Sequence, residues 1–320
     1  MLRRREALAL PAALLSQGLV NAAALTQPMP YVLVVPTPAG GPVDRVARAL
    51  APELSLALEG APVVVDNRPG AAGKIGVQAA RRAARDGRTL LAVSPSIVSV
   101  NPVVDKEPGF NPLSDLDYLG IVAASSGVVA VRSGLPVKSI HDLLRHGQAL
   151  AGNMTYGSFG GGTSLHLQSE ELLERLKLRA RHIPYKGEAQ LLQALAGGEI
   201  DVVFYATQSV IALVQSGRVR AIATTGARRW PLLPQVPGLN ESGLPALRDY
   251  HYQSWAGLAL PVGGDPARRS QLQQAFAAAS ASTALRQRLA EQGFEPATGD
   301  LLDMRETVSR EIQRNRAVVS

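Results

Sequence analysis

Cysteine is absent from the 320-residue chain. Its absence excludes disulfide bridges, thiolate metal sites and a thiol nucleophile. It also removes the residue that a lipid-anchored form would need at its mature N-terminus. Aromatic residues are scarce, at 4%, which is poor material for the stacking platforms of single-stranded nucleic-acid binders. With no long Lys/Arg block either, no nucleic-acid partner is expected. Five histidines occur, but no His-x-x-x-His pair and no acidic cluster accompany them, so neither a metal nor a cofactor is expected. Beyond residue 30 no apolar run reaches the ~18 residues of a membrane span. What is present is a 46% hydrophobic chain, enough for one large core or two smaller lobes.

The first residues read as an export signal. Leu2-Arg3-Arg4-Arg5 is basic, Ala7 to Val20 is apolar apart from the break at Pro11, and Ala22-Ala23-Ala24 supplies small residues. That order matches a secretory signal peptide over 1–24, with cleavage expected after Ala24. The short run and Pro11 argue against an anchor. Arg4-Arg5 leaves both the general and the twin-arginine export routes open. The expected product is a soluble periplasmic protein. Losing Arg3, Arg4, Arg5 and Glu6 lowers the formal charge from +7 by two to +5, which suits anionic solutes or an envelope surface and specifies neither.

The mature chain alternates strand, loop and helix. Tyr31–Val35, Val63–Val65 and Thr89–Val93 are apolar runs separated by helical spacing, a βαβαβ pattern. The pattern returns with strands at Met154–Gly157, Ala180–Pro184, Val202–Tyr205 and Val219–Thr224. Two such blocks argue for an α/β protein of two lobes. Tyr118–Val131 and Tyr252–Leu260, both extended and apolar, serve as crossover strands between them. The expected division is 30–122 with 256–298 for lobe 1, 123–255 for lobe 2, and a C-terminal helix within 299–320.

Two glycine-rich loops carry the candidate chemistry. Pro36-Thr37-Pro38-Ala39-Gly40-Gly41-Pro42-Val43-Asp44 follows the first strand and opens a helix. Ligands of open α/β sheets bind outside the carboxyl ends of strands. Glycines let the backbone approach a ligand, and a helix N-terminus favours an anion. Asp44 either stabilises the first helical turn or accepts a bond from a ligand or water. Tyr156-Gly157-Ser158-Phe159-Gly160-Gly161-Gly162-Thr163-Ser164 mirrors the first loop in the second block. Its Ser158 and Thr163 hydroxyls can donate to an oxygen, or cap the following helix.

A competing reading is an exported α/β hydrolase using Ser158 and His166. Tyr at 156 breaks the Gly-x-Ser-x-Gly elbow, and His166 sits on a helix face that packs inward, so catalysis is disfavoured.

Further matching pieces follow in order. They are Asp66-Asn67-Arg68-Pro69-Gly70-Ala71-Ala72-Gly73, Asn101-Pro102, Leu135-Pro136-Val137-Lys138-Ser139, His182-Ile183-Pro184-Tyr185-Lys186-Gly187, Gly198-Glu199-Ile200-Asp201-Val202 and Leu232-Leu233-Pro234-Gln235-Val236-Pro237. Together with the two loops, these resemble the Bug family of periplasmic binding proteins, the receptors of tripartite tricarboxylate transporters. The resemblance implies a two-lobed Venus-flytrap fold, no catalysis, and a carboxylate-bearing small organic acid held partly through ordered waters. It also implies delivery by a monomer to a membrane permease with two kinds of subunit, or, in a variant, a signalling sensor as partner. Carried across by position, the contacts implied in lobe 1 are Thr37, Pro38, Ala39, Gly40, Gly41, Asp44, Ser94 and Ser96. Those in lobe 2 are Ser158, Gly162, Thr163, Tyr185 and Tyr205. The chain departs from the family pattern at Thr37, commonly Phe, and at Tyr205, commonly Asp. Tyr205 cannot pair with an amino group, which favours plain organic or aromatic acids over amino acids.

Overall fold

Apolar runs become strands and amphipathic stretches become helices over residues 28–160, 163–206, 208–297 and 303–319, which the computed structural model describes. The expected signal, 1–24, lies outside the described residues. Tyr31–Val35 (β1) lies between Val63–Asn67 (β2) and Thr89–Val93 (β3), all parallel. Pro42–Ala57 (α1) and Lys74–Arg82 (α2) make the crossovers. Every residue of β1 except Val32 is buried, as a strand covered by helices on both faces requires. After the short Asn101–Val104 (α3), Leu116–Ser126 (β4) forms an edge of the same sheet. It is joined there by a strand from far along the chain. Gln253–Pro261 (β10) lies antiparallel between β3 and β4, giving the order β2-β1-β3-β10-β4.

The intervening residues build the second sheet. Val128–Arg132 (β5), Ile140–Ala149 (α4), Thr155–Ser158 (β6), Ser164–Arg175 (α5), Arg181–Pro184 (β7) and Glu188–Gly197 (α6) come first. Val202–Ala206 (β8), Ile211–Gln215 (α7) and Val219–Thr224 (β9) complete it. The order is β7-β6-β8-β5-β9. β6 is parallel to both neighbours, and β5 is antiparallel to both of its own. The two sheets have separate cores. One cluster serves the second sheet, and two clusters cover the two faces of the first. This is a two-lobed α/β architecture, one five-stranded sheet to each lobe.

The lobes change hands at the ends of strands. The expected divisions at 122/123 and 255/256 fall inside β4 and β10. Those strands pair from Gln253 opposite Ser126 to Pro261 opposite Leu116, interrupted only by bulges. The ladder keeps both in the first sheet along their whole length, so the chain crosses at Gly127 and again at Tyr252.

Pro266–Ala281 (α8) and Thr283–Glu291 (α9) pack on α1. Met304–Val319 (α10) then buries Met304, Val308 and Ile312 in the first lobe. Its Glu311 receives hydrogen bonds from Ser99 Oγ at 2.5 Å and Trp255 Nε1 at 2.8 Å. Burial pushes this carboxyl upward, and the two donors offset only part of the shift. One turn later Arg314 reaches the second lobe, with Nε 2.5 Å from Glu171 Oε2 on α5. The last helix therefore braces both lobes. Among the described residues no helix is long and apolar enough to cross a membrane.

Candidate functional site

The β1–α1 loop is shaped by one buried carboxylate. Gly40 has φ +81°, a left-handed conformation that favours glycine, and this turns its N–H toward Asp44 in the first turn of α1. Asp44 Oδ2 accepts from Gly40 N at 2.7 Å and from Arg48 Nε at 3.0 Å. Its Oδ1 accepts from Asn67 Nδ2 at 2.8 Å, and Asn67 also donates to the Thr37 carbonyl. Burial pushes the Asp44 carboxyl up, but hydrogen bonds from Arg48, Gly40 and Asn67 outweigh it and hold the group below the usual range. Asp44 thus anchors the loop, and its oxygens are occupied by protein donors rather than turned to a ligand.

The β6–α5 loop is held without charge. Ser158 Oγ lies 2.6 Å from His182 Nε2 and accepts from Gly160 N at 3.2 Å. Thr163 caps α5: its Oγ1 accepts from His166 N at 3.3 Å and donates to the Gly160 carbonyl at 2.8 Å. Burial, then the neighbouring His166, lowers the pKa of His182. Ser158 is fully buried, so it is not presented to a substrate, and its imidazole neighbour is His182. His166 instead stacks on Tyr156, lies tilted against His182 and stands 3.7 Å from Glu170.

Between the lobes lies a cavity of about 340 Å³. The first lobe contributes Thr37, Val43, Ser94 and Ser96; the second contributes Phe159, Thr163, Ser164 and Leu165. Ser125, Tyr205, Tyr252 and Ser254 line it near the two crossings, with Gln208, Trp255 and Phe294 completing the wall. Ser96 Oγ and Ser164 Oγ meet at 2.7 Å across the cleft, so the lobes are in contact around it. Tyr205 ties the crossings together. Its hydroxyl donates to the Ser125 carbonyl at 2.6 Å and accepts from Ser254 N at 3.0 Å. Its ring leaves no room for a Cβ at Gly127, which would stand 2.1 Å from a ring carbon.

Of the residues expected at the ligand, Thr37, Ser94, Ser96, Thr163 and Tyr205 line this cavity. Pro38, Ala39 and Gly40 are exposed on the loop, and Gly41 is half-buried; none of them lines the wall. Asp44 and Ser158 lie behind their loops. Tyr185 is bound through its N–H to the Ser158 carbonyl, outside the lining. Gly162 falls outside the described residues. The residues that sequence reasoning missed are mainly Ser164, Gln208, Tyr252, Trp255 and Phe294. For Tyr252 and Trp255 a signal existed, because both sit in the segment read as a crossover, where an extended chain must pass the cleft.

Three buried polar atoms on this wall have no hydrogen-bond partner: Thr37 Oγ1, Gln208 Nε2 and Tyr252 Oη. Such groups are costly unless something pairs with them, but all three atoms are covered by protein and do not open onto the cavity. A larger concavity, about 600 Å³, lies in the second lobe and includes neither glycine loop. Several polar groups there are already paired: Arg220 with the Leu135 and Val137 carbonyls, His141 with the Ser242 carbonyl, and Glu241 with Arg229.

Comparison with known proteins gives a consistent picture. The family described as the tripartite tricarboxylate transporter family receptor matches residues 46–320. BugT of Bordetella pertussis is 31% identical over 291 residues, covering 91% of this chain and 88% of BugT. A solved Rhodopseudomonas palustris protein, described with adipate, is 30% identical with a TM-score of 0.77, over 91% of this chain and 96% of that one. MatC from Rhodopseudomonas palustris, solved with bound malate, is 25% identical with a TM-score of 0.75, over 91% and 99% of the two chains. The matching family is one of transporter receptors rather than enzymes, so the hydrolase reading has no support. The chain belongs to the tripartite tricarboxylate transporter receptor family, among the Bug-type periplasmic binding proteins.

Proposed function

We propose that this chain is exported, loses residues 1–24 by cleavage after Ala24, and works in the periplasm as a monomeric receptor for a carboxylate-bearing solute. It hands that solute to a membrane permease with two kinds of subunit. The observation that carries the reading is the interlobe cavity, where the starts of α1 and α5 meet one space. Two helix N-termini present N–H groups and positive dipole ends to an anion. Hydroxyls of Ser94, Ser96 and Ser254 on the same wall supply further hydrogen bonds. The carboxylates in the adipate and malate complexes of the relatives agree with this class.

The test is thermal unfolding of the mature protein with a panel of mono-, di- and tricarboxylates. A ligand at a hundred times its Kd adds about 2.7 kcal/mol of stability, which a melting curve resolves. A panel without any upward shift in melting temperature would sink the reading. N-terminal sequencing of the exported protein checks the cleavage site, and any start far from residue 25 overturns that part.

A further inference from the structure

A short stretch of α10, from Glu311 to Asn315, is bonded to both walls of the cavity. On the first-lobe side Glu311 accepts from Trp255 Nε1 and Ser99 Oγ, and Asn315 Nδ2 donates to the Ser99 carbonyl at 3.0 Å. Trp255 lines the cavity, and Ser99 belongs to the turn Ser96–Val100, whose first residue also lines it. On the second-lobe side Arg314 reaches α5. Its Nε lies 2.5 Å from Glu171 Oε2, and its Nη2 lies 3.3 Å from Gln168 Oε1. Those two residues stand about one and two turns beyond Ser164, where α5 begins at the cavity. The guanidinium also lies over the rings of Tyr250 and Tyr252, 5.6 and 5.8 Å from their centroids. Gripping a stiff helix at Gln168 and Glu171 fixes where its start stands.

The Glu171 side chain is 8% exposed and that of Arg314 30%. A pair so placed adds little net stability, because its attraction must offset the cost of leaving water. Losing one partner is far more damaging, since the other ion stays buried alone. Between two lobes that can part, the pair has a second satisfied state, with each ion in water. It closes and releases instead of welding the lobes together. We propose that Arg314 is a positioning residue of the cleft, forming with Glu171 a reversible clamp that sets the separation of the two walls, although Arg314 itself does not line the cavity.

Because the chain has no cysteine, two can be introduced alone on exposed loop positions, Ala39→Cys in the first lobe and Lys186→Cys in the second. Electron-spin distance measurement between nitroxide labels there, on the mature full chain without added solute, reads the wall separation independently of the receptor reading. Glu171→Gln should raise the ratio of long to short separations at least about tenfold, since it strips Arg314 of its ion-pair partner. Arg314→Gln should raise it less, about threefold, because Arg175 Nε remains 3.0 Å from Glu171. The double variant removes both charges at once and should lie nearer the parent than Glu171→Gln does. An unchanged distribution in a Glu171→Gln chain that circular dichroism shows to be folded overturns the clamp. A double variant more open than Glu171→Gln overturns it too. Should Glu171→Gln not fold, Arg314→Lys gives the same test. It keeps the charge but has no fork to hold Glu171 and Gln168 together, and a distribution identical to the parent's rejects the proposal.

Discussion

The β1–α1 loop hangs from a carboxylate, Asp44, that gathers donors from Gly40, Arg48 and Asn67. The β6–α5 loop hangs from two hydroxyls and an imidazole, with Ser158 against His182 and Thr163 capping α5. The two loops occupy matching places, each between a strand end and a helix start. The solutions nevertheless differ in kind. A charged anchor makes stronger hydrogen bonds and ties three separate segments to one group. A neutral anchor is weaker. Equivalent positions in the two lobes therefore need not respond equally to mutation or acid.

The largest break in this comparison should come from Asp44→Ala. It strands Gly40 N and Asn67 Nδ2 in a site where the carboxylate side chain is 2% exposed. The expected cost is about 2–3 kcal/mol in chemical unfolding, because buried donors are left unsatisfied, with weakened carboxylate binding as the loop loosens. A loss below that of an ordinary surface change would remove Asp44 from its anchoring role. Ser158→Ala should come next, at about 1–2 kcal/mol, since it leaves the His182 Nε2 and Gly160 N without their shared partner. Should it prove as damaging as Asp44→Ala, the contrast between charged and neutral anchors fails.

Mild acid gives the smallest effect and the sharpest separation. His182 has a folded pKa below its ordinary 6.5. Between the two values the unfolded chain binds more protons, so stability rises with pH there. Its contribution is complete above 6.5 and is lost as pH falls through the lower folded value. Asp44 also has a depressed pKa, below 3.8, so its contribution is complete above 3.8 and is lost only as pH falls through a lower value still. Amide signals followed by NMR on acidification should therefore change around 158–160 before they change around 37–41. Simultaneous change, or the reverse order, contradicts the assignment.

Much of this was legible in the sequence where the physics is local. Apolar runs such as Tyr31–Val35, followed by helical spacing, announced the βαβ units. Pro42 after Gly41 marked a helix start, as Thr163 before Ser164 did, because helix entry depends on neighbouring residues. Asp44 carried an ambiguity that its spacing could not resolve, since the deciding partner, Asn67, arrives from the end of another strand. Tyr205 was legible as a residue of the cleft but not as a tie between crossings. That role depends on Ser125 and Ser254, which are brought together only by the pairing of β4 with β10. Phe294 was beyond reach for the same reason: its place on the wall is set by contacts spanning most of the chain.

The insertion of β10 between β3 and β4 has a consequence for the order of assembly. The second lobe has all its strands once residue 224 is available, whereas the first cannot close its sheet before residue 261 and lacks its brace until α10 is complete. Pairings so distant in sequence form late. The missing strand postpones only the first lobe, so the topology sets the order in which the two lobes are completed, the second before the first.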